Sequence, residues 1–169
     1  MFTKFFRATQ MLHLLAAVVL VISPPVEAQS RISAETSCAG KSVNAIHFDQ
    51  TIFQADYKIM VSEYEVEPDI RIRLVSVPAL ADMVLADNLP GSDIAICRSA
   101  TRAGSTTLFV AKFVTQPDVT IMLNSNDRHA DFTLYVDSKI VSNDQAAALF
   151  WLALKSGALV RGSSAPGAR

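Results

Sequence analysis

From Tyr57 to Val136 apolar residues recur at every second position in short bursts, with polar or small residues between them. Each burst follows an opening residue: Asp56, Asp69, Asp82, Asp93, Thr107, Asp118 and Asp131, spaced 13, 13, 11, 14, 11 and 13 residues apart. One place after the opener stand Tyr57, Ile70, Met83, Ile94, Leu108, Val119 and Phe132. Three places after it stand Ile59, Ile72, Leu85, Ile96, Val110, Ile121 and Leu134. A period of two marks a strand with one buried face. β-Branched and aromatic residues fit that assignment. The repeat therefore predicts a mainly β protein of about seven short strands with a period of about 12.5 residues.

The second face changes along the chain. It carries Lys58 and Arg71 in the first two strands, then Val84, Ala95 and Phe109. An apolar patch there predicts a cover. The connections lack the Asn-Gly and Gly-rich dipeptides of tight hairpins. Ser62 to Pro68 and Ser76 to Ala81 instead resume weak apolar patterning. This favours short return legs and stacked parallel coils over the alternative, an antiparallel meander.

A helix is predicted to follow the last strand. Ser142 and Gln145 form a capping-box pair. Ala146 to Leu154 is apolar throughout, and Gly157 can end the helix. Such a helix would cap the sheet, and one with no polar face must be buried on most sides. Phe150, Trp151 and Leu154 are accordingly expected either in the core or against a protein partner or a second copy of the chain.

The segment before the repeats gives an address. Lys4 and Arg7 precede the apolar run Leu14 to Ile22, and Val26-Glu27-Ala28 is a fitting cleavage site. Residues 1–28 read as a secretory signal. Nine apolar residues extend about 14 Å as a helix, short of a bilayer core of about 30 Å. No stable membrane anchor is expected after cleavage, and the protein is expected to be exported, periplasmic or extracellular. The remaining divisions are an N-terminal segment, 29–42, a single β-repeat domain ending in a helix, 43–157, and a small polar tail, 158–169, expected to be disordered. An exported chain with two cysteines is expected to join them, here Cys38 and Cys97.

Removing Lys4, Arg7 and Glu27 from 15 basic and 16 acidic residues leaves 13 and 15. That balance gives no electrostatic case for nucleic acid. Small residues or Pro precede the aspartates, as tight corners require. Asp56, Asp69, Asp82, Asp93, Asp118 and Asp131 are therefore expected to accept hydrogen bonds from backbone amides at the corners. In a parallel stack such carboxylates would stand about 4.8 Å apart, and a bound cation is the alternative that would relieve their repulsion.

Catalytic signatures are absent. His47 and His129 lie far apart, and Asp127-Arg128-His129-Ala130-Asp131 reads as a surface loop. No His-Glu-x-x-His, Gly-x-Ser-x-Gly or phosphate-binding loop occurs. Lys58, Arg71 and Arg73 fit either a small anion site or pairing with Glu63, Glu65 and Glu67. No cofactor or metal is expected. Gln54-Ala55-Asp56 and the strand after it resemble a bacterial family of short repeats, in which Ser-Gln-Ala-Asp precedes an alternating Val/Tyr strand. Ala81-Asp82 and Ala130-Asp131 match in part, while Pro68 and Pro117 depart from it. The resemblance implies repetition from Val43 to Asp144 and no particular activity. The expectation is an exported, non-enzymatic protein that binds a protein partner or envelope component. The alternatives are a cation-stabilised repeat module and a small hydrolase with a loop-built site.

Overall fold

The computed structural model describes residues 29–36, 44–65 and 67–158. Residues 1–28, read above as a secretory signal, Cys38 and residues 159–169 lie outside the described residues.

Nine strands follow one another: β1 (Ser30–Glu35), β2 (Asn44–Asp49), β3 (Tyr57–Ser62), β4 (Ile70–Leu74), β5 (Met83–Asp87), β6 (Ile94–Arg98), β7 (Thr106–Ala111), β8 (Val119–Leu123) and β9 (Phe132–Asp137). The helix α1 (Asn143–Lys155) ends the described chain. The mainly β class, the parallel strands and the C-terminal helix agree with the sequence. Two strands, β1 and β2, precede the seven expected.

The strands close into a barrel in the order β1-β5-β9-β4-β8-β3-β7-β2-β6. Every pairing is parallel. Each strand lies two places round the ring from its predecessor, always in the same direction. The first circuit leaves gaps, and the second circuit fills them. Asp56 meets Thr107, 51 residues on, and Lys58 in the strand that Asp56 opens meets Asp118, 60 residues on. One repeated unit thus pairs with two later units, one on either side.

Nine strands enclose more room than eight, whose interior side chains just fill. The helix occupies that room. Ala146, Ala147, Ala148, Leu149, Phe150 and Trp151 are all buried. Six consecutive buried residues cover every direction round a helix axis, so the barrel encloses α1. It belongs to one core with Ile32, Ile46, Ile59, Ile72, Leu85 and Leu134 from the strands. At one end Lys112, just past β7, is 3.0 Å from Asp144 in the first turn of α1. At the other, Phe150 meets Phe132 and Trp151 meets Tyr57, the first residues of β9 and β3, with ring centroids 4.9 and 5.3 Å apart. The helix therefore runs antiparallel to the strands. The capping box starts it, with Gln145 donating its backbone N–H to the Ser142 hydroxyl and accepting from the Ser142 amide.

The outer face is also covered. Ser33, Val84, Cys97, Thr107, Thr120 and Met122 alternate with inward residues yet are buried. With the lumen filled, each connection must pass outside the one strand it skips. The connections form a second layer there. Val114 and Asp127, both in connections, are buried in it.

Candidate functional site

The conserved geometry within the chain is its corner. Asp69 donates its N–H to the Thr120 carbonyl at 2.9 Å, and its Oδ2 accepts the Thr120 N–H at 2.7 Å. The same two-bond unit joins Asp56 to Thr107, Asp82 to Thr133, Asp93 to Arg31, Asp118 to Lys58 and Asp131 to Arg71. The carboxylate extends the ladder by one bond where the strand begins. All six aspartates are exposed, and no group of three metal-ligating side chains is found among the described residues.

The unit also fixes the phase of β7. Thr107 faces Asp56 as Thr120 faces Asp69, so Thr107 stands two places into its repeat and Ser105 opens it. The sequence placed the opener at Thr107. Because the slip is even, Leu108 and Val110 still face inward. Replacing Asp69 by Ala should lower stability by about 1 kcal/mol, since the Thr120 amide loses its acceptor. Asn, which keeps an oxygen there, should recover most of the loss. Urea denaturation of both variants checks this.

Of the two places expected for Phe150, Trp151 and Leu154, the core or a partner surface, they take the core. Phe150 and Trp151 are inside the barrel, and Leu154 is half-buried. Lys155 closes that end, its Nζ 4.0 Å from the Tyr57 ring centre and 4.9 Å from that of Trp151. Cys97 is buried on the outer face. Arg71 pairs with Asp127 at 3.4 Å rather than with the glutamates. His129 donates its backbone N–H to Asp127, which shapes a turn, and the His47 ring meets the Ser99 carbonyl at 3.1 Å. The Thr51 backbone N–H and hydroxyl, both on Asp49, hold that carboxyl below the usual range, helped by Arg102 and His47.

The exposed surface carries what the sequence reading passed over. Phe53, Tyr64 and Phe113 are 94%, 82% and 81% exposed. They belong to the connections β2–β3, β3–β4 and β7–β8, which pass outside β7, β8 and β3. Those three strands are consecutive in the ring, so the three aromatic rings project from side-by-side connections. Leu80, 67% exposed, and Val77 stand in the connection over β9, separated from the row by the polar connection 124–131 over β4. Each residue is isolated in the sequence. Only the two-place step round the ring brings connections 50 residues apart together, as the hydrogen bonds from Arg102 to Gln54 and from Asn124 to the Glu63 carbonyl confirm (|i−j| of 48 and 61).

The class so defined is a closed, all-parallel β-barrel with a helix in its lumen and an apolar belt outside. Set against known proteins, the chain matches no family model, no curated protein and no solved structure.

Proposed function

We propose that this is an exported, non-enzymatic binding protein whose partner, a protein or envelope component, docks on the belt of connections. The exposed aromatic row Phe53, Phe113 and Tyr64 carries the reading. Single exposed apolar residues are ordinary, whereas neighbouring ones mark interaction surfaces, and aromatic side chains supply the anchors of such contacts. The helix is already spent on the core, which leaves the belt as the apolar surface open to a partner.

Changing Phe53, Tyr64 and Phe113 together to Ser should leave the fold intact and abolish capture of the partner that the unaltered protein retains from an envelope extract. Equal capture by both proteins contradicts the reading. Export and a Cys38–Cys97 disulfide complete the proposal. A bridge over this span would stabilise the fold by roughly 4 kcal/mol. Protein recovered from the envelope fraction should begin at Gln29 and offer no thiol to an alkylating reagent before reduction. A retained leader or two alkylated thiols would count against it.

A further inference from the structure

Beside the aromatic row, and separate from it, an open cleft of about 670 Å³ is lined by Arg73, Leu74, Val75, Ser76, Leu80 and Ser125. Arg73 is the fourth residue of β4 and points outward, since Ile72 and Leu74 belong to the core side. Two connections flank it. Val75 to Leu80 leaves β4 and passes outside β9, and Ser125 lies in the connection that passes outside β4 itself.

The Nε of Arg73 is buried and has no hydrogen-bond partner. It is the one such side-chain atom among the described residues, and no carboxylate of those residues lies within ion-pair distance of the guanidinium. A buried donor on a charged group left unmatched is costly. The chain solves the problem elsewhere: Arg71, two residues earlier on the same face, has Asp127, and Arg102 has Asp49. Arg73 has no such carboxylate among the described residues, and it lines the cleft.

We propose that the cleft binds a carboxylate that carries an apolar group. The two Nη groups of a guanidinium form a fork that fits the two oxygens of a carboxylate. Ser76 and Ser125 offer hydroxyl groups at the polar side. Val75 and Leu80 form an apolar wall, which a bare inorganic anion would leave uncovered. A cleft of this size suits a small organic acid or the last residue of a peptide.

The test is a titration of the full-length secreted protein, labelled with ¹⁵N, with hexanoate, hexan-1-ol, inorganic sulfate and a short peptide ending in Leu with a free carboxyl. Saturable shifts of the Arg73 Nε–H resonance and of the Ser76 and Ser125 amides with hexanoate or the peptide are expected. Hexanol and sulfate, which each carry half of the chemistry, should bind at least roughly tenfold more weakly. The better of the two carboxylates identifies a free acid or a chain terminus as the source. Arg73→Lys keeps the charge without the fork and should weaken binding by roughly tenfold. Arg73→Met keeps the stem and should abolish it. The proposal is overturned if neither carboxylate gives a saturable shift, if sulfate binds as tightly as they do, or if folded Arg73→Met protein binds unchanged. Phe53, Tyr64 and Phe113 are untouched throughout, so failure here leaves the belt reading standing, and the reverse.

Discussion

Cut between Ser76 and Val77, the chain should give two pieces that are each unfolded alone and that regain structure when mixed. Residues 29–76 contain β1 to β4, and no two of these strands pair with each other. Residues 77–158 contain β5 to β9 and α1, with β5 and β9 as the one neighbouring pair. A single two-stranded pair is marginal at best. In an ordinary solenoid of short coils each unit pairs with the next, and half the molecule keeps half its contacts. Here the first half has only gaps beside its strands. Far-UV circular dichroism of each piece should show coil, and an equimolar mixture should recover the strand signal. A dispersed, native-like spectrum from 29–76 by itself would contradict the interlaced order. The same long pairings make closure entropy large before any ladder forms, so folding should be slow for so small a protein.

Replacing Trp151 by Ala should cost about 3–5 kcal/mol, in the range for large aromatic truncations in a core. Native domains have a total stability of about 5–15 kcal/mol, so the variant should sit near its limit. The loss comprises the burial of the indole, its edge contact with Tyr57 and its share in holding Lys155 over the barrel end. The enclosing wall cannot close on the space, because its hydrogen-bonded ring fixes its width. Urea midpoints at unchanged m-value measure the effect. Leu154→Ala, at a half-buried position, should cost clearly less. A Trp151→Ala protein as stable as the parent would mean that α1 lies outside the barrel. Trp151 is the single tryptophan, so a blue-shifted emission that moves to the red on unfolding is expected and would report the same enclosure.

Much of this was legible in the residues. Alternation gave the inward set from β3 to β9, and the unbroken apolar run of α1 announced a helix without a free face. The strands β1 and β2 were hidden because their inward places one after the opener are Ser30 and Asn44, so each keeps only two apolar inward residues: Ile32 and Ala34, Ile46 and Phe48. The phase of β7 was misread because Thr107 and Ser105 are both polar and only the Asp56 partner separates them. Ring closure could not be read from the sequence at all. Parallel repeats are equally compatible with an open stack, and the difference lies in which later unit each strand meets. The belt and the Arg73 cleft were invisible for that reason. Phe53 and Phe113 become neighbours only through the two-place step, and Arg73 has the same sequence surroundings as Arg71 until Asp127 chooses between them.

Hydrogen exchange of the backbone amides tests the central claim, an α1 enclosed by an interlaced parallel barrel. Amides from Leu149 to Ala153 should exchange only through global unfolding, with the same opening free energy and the same denaturant dependence as Leu108, Ile121 and Leu134 in the wall. Exchange of the helix through a cheaper local opening, while the strands stay protected, would show that α1 can leave the barrel, and would contradict the account.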